Sequence, residues 1–269
     1  MKKFFKKMLD SIDDVLFKNY KCMFCDRETN DEFLICDNCK SKLKFINNNI
    51  CNKCGSATDE PEDVCYDCFN KNYVFDSHRS CIFYDNYSSR PVKALKYSKQ
   101  KYLAEPIARF MFETHKEIFH DIDYITFVPM TRVKEETRGY NHTEVITHEL
   151  SKLSGIPVMN FIIKNRDTGD QARLGFDERN KNLKGSFEVD KDKKDLLKDK
   201  NVLLIDDVFT TGSTSNECSK VLLKAKAYSV VVATFLKTNP HDENQDFSGI
   251  DENWFFDKSR LKLTKIHKK

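Results

Sequence analysis

No stretch of the 269-residue chain approaches the ~20 consecutive apolar residues that a membrane-spanning helix requires, so no membrane span is expected. No charge sign dominates. Forty-five basic and 42 acidic side chains leave +3, which excludes a global polycation for nucleic acid. Residues 1–80 carry 13 Lys+Arg against 14 Asp+Glu, and the remainder 32 against 28. A secretory core is missing as well. The opening "MKKFFKKMLDSIDDVLFKNY" has apolar residues at helical spacing, but Asp10, Asp13 and Asp14 interrupt it. An amphipathic helix over 1–21, packed on the body of a cytoplasmic protein, is the expectation.

Cysteine, by contrast, is abundant. Eight of the ten fall into four C-x-x-C pairs: Cys22/Cys25, Cys36/Cys39, Cys51/Cys54 and Cys65/Cys68. Adding 29 to each of the first four positions gives the second four, so residues 22–39 and 51–68 repeat one unit. Each C-x-x-C turn points two thiolates at one centre, and two turns complete a tetrahedral site for zinc. Disulfides would require an oxidising compartment, and iron–sulfur ligation is the other metal chemistry for such thiols. Four thiolates saturate an ion and leave no position for substrate, so two structural zinc ions are expected, paired as adjacent or as crossed sets. Acids crowd the intervening loops (Asp26, Glu28, Asp31, Glu32, Asp59, Glu60, Glu62, Asp63), which favours a scaffold or protein contact over nucleic acid. Cys81 and Cys218 lack partners at ligand spacing and read as buried packing residues.

From residue 80 the pattern changes. "SCIFYD", "YITFVPM", "PVMNFIIK" and "SFEV" read as strands, and "HTEVITHELSKLSG" as a helix capped by Gly155. "NVLLID" and "YSVVVATFL" are continuous apolar runs typical of parallel strands covered on both faces. The alternation predicts an α/β, doubly wound parallel sheet behind a small N-terminal double zinc ribbon. The expected divisions are 1–21, 22–75, 76–238 and a C-terminal extension, 239–269, with Trp254, Phe255 and Phe256 docking on the body.

Ligands of such sheets bind beyond the carboxyl ends of strands, where Asp206, Asp207 and "FTTGST" fall. Backbone amides of Phe209 to Thr214 can converge on a phosphate at a helix N-terminus, and Gly212 permits close approach. Thr210, Thr211, Ser213 and Thr214 add neutral donors. Asp206 and Asp207 suit vicinal hydroxyls instead. A phosphate and a diol side by side describe a ribose 5-phosphate. A Walker A loop is excluded because no Gly-Lys-[Ser/Thr] occurs there.

"VLLIDDVFTTGST" resembles the phosphoribosyl-pyrophosphate (PRPP) signature of type I phosphoribosyltransferases. Joined to the cysteine repeat, "ALKY" at 94–97, "RGYNH" at 138–142 and "QARLGFDERNKNLKGSF" at 171–187, it resembles the ComF family over residues 1–238. That family is associated with bacterial competence and DNA uptake. The resemblance implies a type I phosphoribosyltransferase-like fold and magnesium-dependent PRPP chemistry. Asp206 and Asp207 would hold the ribose hydroxyls, and Thr210, Thr211, Gly212, Ser213 and Thr214 the 5-phosphate. Pro129 and Arg132 would face pyrophosphate, Arg138 would be the leading catalytic cation, and Lys96 stands in the "LKY" motif. The segment 165–183, with Arg166, Gln171, Arg173 and Arg179, takes the place of a mobile catalytic loop. His142 stands where the family usually has glutamine, and the glycine common after "LKY" is missing.

Three functions follow: a PRPP-dependent transferase with an unidentified acceptor, a non-catalytic PRPP-binding accessory of DNA-uptake proteins, or a zinc protein that binds single-stranded DNA. Any affinity for single-stranded DNA is expected from basic residues around the cleft, such as Lys134, Arg138, Arg173 and Arg179, whereas DNA binding carried by the ribbons would mark the third function.

Overall fold

Strands 201–209 and 229–237 have no polar face, and in the computed structural model both lie in the middle of a sheet. The structure describes residues 21–46, 49–58, 64–166 and 181–239. Its main sheet comprises β1 (Ser77–Phe83), β2 (Tyr124–Phe127), β5 (Asn201–Phe209) and β6 (Ser229–Lys237) in the order β1-β6-β5-β2. All three pairings are parallel. A short antiparallel pair, β3 (Ile162–Lys164) and β4 (Phe187–Val189), stands apart.

Side chains alternate across β5 as strand geometry demands. Leu203 and Ile205 face one core with Ile107, Phe110, Ile146 and Leu150 from the helices Ala104–Thr114 and His142–Ser154. Val202 and Leu204 face a second core with Cys218 and Leu222 from the helix Ser213–Lys224 and Phe161 and Phe187 from the small pair. Both faces are covered, as in a doubly wound α/β sheet. The expected "PVMNFIIK" strand is shorter than its apolar run: only Ile162–Lys164 pair with β4, while Val158 bridges Ile125 at the β2 edge. Gly155 caps the His142–Ser154 helix at φ 76°.

The N-terminal unit is divided between the two cores. Cys22, Cys36 and Cys39 join the first, with Phe33 edge-on to Phe110 at 5.7 Å. Cys51, Cys54, Cys65 and Cys68 join the second, with Tyr73 and Phe75. Between them the chain crosses the sheet edge, where Phe45 bridges Ile82 of β1.

One of the acids expected to crowd the ribbon loops has a different role. Asp31 accepts from the N–H groups of Phe33 (3.1 Å) and Ile35 (3.4 Å) and pairs with Lys40, which is 2% exposed. Removing one partner of such a buried pair costs about 3–5 kcal/mol. Among the described residues no helix is long and apolar enough to cross a membrane. The expected helix over 1–21 and the aromatics of the C-terminal extension lie outside the described residues.

Candidate functional site

The cysteines form two adjacent groups, Cys22/Cys25/Cys36/Cys39 and Cys51/Cys54/Cys65/Cys68, with the ligand atoms of each within 4.8 Å of one another. The crossed arrangement is not seen. Sulfur separations of 3.5 Å (Cys25–Cys36), 3.8 Å (Cys54–Cys65) and 3.9 Å (Cys51–Cys68) suit a tetrahedron. Zinc–sulfur bonds of about 2.3 Å give edges of about 3.8 Å. The buried thiols conflict electrostatically. A hydrogen bond from Cys39 lowers Cys22 to about 5, while burial raises Cys36 and Cys65 to about 11. A divalent cation shared by four thiolates removes that conflict, so the donor set fits zinc in closed, structural sites. Cys81 and Cys218 are buried away from both groups, and burial raises both thiols.

The second site lies at the carboxyl end of the sheet. β5 continues through both acids to Phe209, so Asp206 and Asp207 sit on the strand rather than after it. Both are at least nine-tenths buried. They titrate in opposite directions. Burial, then the neighbouring Asp207 charge, pushes Asp206 well above the carboxylate range. Burial would raise Asp207 too, but the Lys96 charge and the His142 hydrogen bond outweigh it and hold Asp207 far below that range. The Asp207 N–H donates to Asp206 Oδ1 at 2.9 Å.

Lys96 is therefore not a solvated lysine. It lies in the last turn of the helix Arg90–Tyr97 and ion-pairs with Asp207 Oδ2. Burial would lower the Lys96 ammonium, but the Asp207 carboxylate raises it on balance. On the other oxygen, His142 Nε2 lies 3.3 Å from Asp207 Oδ1, and His142 Nδ1 lies 3.0 Å from Arg138 Nη1. A guanidinium can only donate, so Nδ1 accepts and the imidazole proton resides on Nε2, directed at Asp207. Burial, then the Lys96 charge, lowers the His142 pKa and keeps the ring neutral. Arg138, His142, Asp207 and Lys96 form one chain.

Local sequence explains the convergence. Arg138 ends the helix Arg132–Arg138, which Gly139 closes at φ 85°. Asn141 then caps the next helix, its Oδ1 accepting from Thr143 N at 3.0 Å. Asn141 Nδ2 and Thr143 Oγ1 both donate to Val128 O, at 3.1 and 2.8 Å, fixing "RGYNH" at the end of β2. The Tyr140 hydroxyl donates to Leu95 O, tying that motif to "ALKY". Arg132 is placed differently: it is 92% exposed and paired with Glu136 at 2.9 Å. Arg166 is fixed by Ser186 Oγ (2.9 Å), Asn182 O (2.7 Å) and Lys184 O (3.0 Å). Gln171, Arg173 and Arg179 lie outside the described residues.

Beyond β5, Thr210, Thr211 and Gly212 lead into the helix Ser213–Lys224. Gly212 is its N-cap at φ 74°, and glycine supplies no side-chain acceptor for the first-turn N–H groups. Ser213 N reaches Thr211 Oγ1 at 3.4 Å, and the remaining first-turn donors are available to an anion. Thr211 Oγ1 and Ser213 Oγ bond each other at 2.9 Å, while Thr210 and Thr214 are half-buried. The need for glycine is also steric: a Cβ at 212 would come 2.5 Å from Phe209 Cζ and 2.9 Å from Tyr73 Cε1. Tyr73 belongs to no ligand spacing and is not announced by the sequence, and His142, a departure from the family pattern, is a link between Arg138 and Asp207.

Residues 12–69 match the Double zinc ribbon domain. The chain is 28% identical over 215 residues to "Competence protein F" of Haemophilus influenzae, covering 77% of this chain and 93% of the relative. It is 24% identical over 242 residues to "Competence protein ComFC" of Bacillus subtilis, covering 81% and 95%. Among solved structures, the glutamine PRPP amidotransferase from B. subtilis complexed with ADP and GMP overlaps 49% of this chain at 20% identity and a TM-score of 0.35. The overlap spans only 26% of that enzyme's length.

Proposed function

We propose that this member of the ComF family binds PRPP in the cleft between Asp206/Asp207 and the 210–214 loop, and transfers its phosphoribosyl group to an acceptor in the service of DNA uptake. One observation carries the reading. Two buried carboxylates on β5 run directly into a glycine-hinged, hydroxyl-lined helix start, with Lys96 paired to Asp207 and Arg138 linked to the same carboxylate through His142.

The residues divide the ligand by chemistry. The helix start and the hydroxyls of Thr210, Thr211, Ser213 and Thr214 take the 5-phosphate. Asp206 and Asp207 accept hydrogen bonds from the ribose hydroxyls. Lys96, released from Asp207 when those hydroxyls arrive, turns its charge to the pyrophosphate, together with Arg138. Among the described residues only the cysteine groups bring three or more metal-ligating side chains together. Magnesium, when bound with the ligand, would sit beside Asp206 and Asp207 and would supply positive charge to offset the leaving pyrophosphate. The anomeric carbon loses pyrophosphate and bonds to the acceptor nucleophile. Arg132, 92% exposed, would serve only at the outer end of the pyrophosphate.

A second reading has its own observation. Tyr97 and Tyr102 are 72% and 59% exposed, and the Arg138 guanidinium lies 5.2 Å from the Tyr97 ring. Aromatic faces beside cations suit the bases and phosphates of single-stranded DNA. A PRPP-gated DNA contact at this rim, without turnover, would make the protein an accessory rather than an enzyme.

The test is calorimetry of PRPP binding with and without magnesium, followed by pyrophosphate release in the presence of candidate bases and amines. Binding with release supports transfer. Binding without release from any acceptor supports the accessory reading. Absence of PRPP binding sinks both.

A further inference from the structure

We infer that Tyr73 is a positioning residue through which the second cysteine knuckle holds the 210–214 loop in the shape that receives an anion. The inference rests on the PRPP reading for the identity of the anion, but not for the clamp itself. Tyr73 lies five positions beyond Cys68, at the exit of the helix Tyr66–Lys71 that carries this ligand. It is 8% exposed, and its hydroxyl donates to Thr211 O at 2.6 Å. Next to it, the Val74 N–H donates to Asn216 Oδ1 at 2.8 Å, in the first turn of the helix Ser213–Lys224. Two consecutive residues of the knuckle's exit thus grip the loop on one side and the helix start on the other.

The bond to Thr211 O has a directional consequence. No peptide here is cis, and in a trans peptide the C=O and the following N–H point in opposite directions. Anchoring Thr211 O on Tyr73 therefore aims the Gly212 N–H away from the knuckle, toward the open side of the loop. That N–H is one of the donors an anion would use.

A second route reaches the same loop. Cys54 O lies 2.8 Å from His78 Nδ1, and the His78 ring stacks on Phe209 with centroids 3.9 Å apart. Phe209 in turn meets the Tyr73 ring edge-on at 6.0 Å. Gly212 closes against both rings, which is why a Cβ there has no room. The first knuckle has a different neighbour. Cys39 Sγ lies 3.1 Å from the Tyr87 hydroxyl, and Arg90 reaches Phe24 O at 3.5 Å from the base of the helix that carries Lys96. The two cysteine knuckles brace different elements of the cleft, and among the described residues it is the second that bonds to the loop.

The experiment uses the full chain with both metals bound and the variant Tyr73→Phe, which keeps the ring and removes the hydroxyl. Metal analysis should give two ions per chain in both proteins. Hydrogen exchange of peptides spanning 209–216, measured without ligand, should be faster in the variant, while peptides covering β2 are unchanged. Affinity for ribose 5-phosphate should fall about tenfold, the equivalent of 1.4 kcal/mol. Unchanged exchange overturns the clamp. Faster exchange with unchanged affinity overturns its role in anion binding. If the parent protein binds neither ribose 5-phosphate nor PRPP, the PRPP reading fails and exchange alone decides the clamp.

Discussion

His142 Nε2 and Asp207 Oδ1 face each other at 3.3 Å across the cleft, joining the start of one helix to a central strand 65 residues later. Because Arg138 occupies the other ring nitrogen, His142 is a connector and not a free base. It transmits the position of a carboxylate to a guanidinium. Glutamine, with one acceptor and one donor group, could make the same two contacts.

His142 gives a pH prediction. Its folded pKa is lowered, so its contribution to stability is present above the unfolded value of about 6.5 and is lost as pH falls below it. The groups facing it are Arg138, Lys96 and Asp207. Replacing His142 with glutamine should shrink the fall in Tm between pH 7 and pH 5 by about 2–4 °C, with the metal content checked at each pH. Fully buried His78, lowered in the same direction, should contribute to the fall that remains. Identical pH profiles for the two proteins would remove His142 from the account.

Asp206 should show stability opposed to function. Its folded pKa is raised, so its ionisation costs the folded state more as pH rises above about 3.9. Asp206→Asn keeps the Oδ1 that accepts from Asp207 N and removes the buried charge. Tm should rise by a few degrees at pH 8 and by less at pH 5. PRPP affinity should fall, since each charge-assisted hydrogen bond lost costs about 1.5–3 kcal/mol. In the double variant Asp206→Ala/Asp207→Ala, calorimetric binding should vanish from a folded protein. Retained affinity would mean the diol binds elsewhere.

Gly212→Ala should be among the most damaging single-methyl changes in the chain. The substitution imposes φ 74° on an L-residue and drives a Cβ into Phe209 and Tyr73. Left-handed backbone costs about 1–2 kcal/mol and overpacking about 1–3 more. Denaturant titration should show a loss within the sum of those ranges. A loss below 1 kcal/mol would mean that the two rings can move aside.

Metal analysis should return two zinc ions per chain, and Cys22→Ser should remove one of them. The remaining ion should sit with Cys51, Cys54, Cys65 and Cys68, detectable by protection of those thiols from alkylation. A single ion in the parent protein, or iron, would overturn the count or the metal.

The cysteine spacing made both knuckles legible, because ligand geometry restricts sequence directly. The central strands were legible for a related reason: burial on two faces demands the continuous apolar runs of 202–205 and 230–236. Asp206 and Asp207 were legible as a pair but not as opposites, since their divergence depends on Lys96 and His142, distant in sequence. Nothing near "ALKY" announces the carboxylate that Lys96 meets. Tyr73 escaped for the same reason, its acceptor being 138 positions away. The division expected at 75/76 reflects composition, whereas packing crosses it on both faces of the sheet.

The crossing of the sheet edge has a consequence for solubility. Lys44 O accepts from Phe83 N at 2.9 Å, Ile46 N reaches Cys81 O at 3.5 Å, and Phe45 bridges Ile82. The segment between the two knuckles therefore occupies the outer hydrogen-bonding groups of β1, a strand that would otherwise offer them to any passing chain. At the opposite margin, Met159 N donates to Ile125 O at 2.9 Å and gives β2 the same cover. Chelation that unfolds the knuckles, or truncation of residues 22–75, would bare the β1 margin along with two patches of core. The expected product is edge-to-edge association rather than a smaller soluble domain, and light scattering during metal removal would reveal it. A monodisperse truncated monomer would show that β1 protects its own edge.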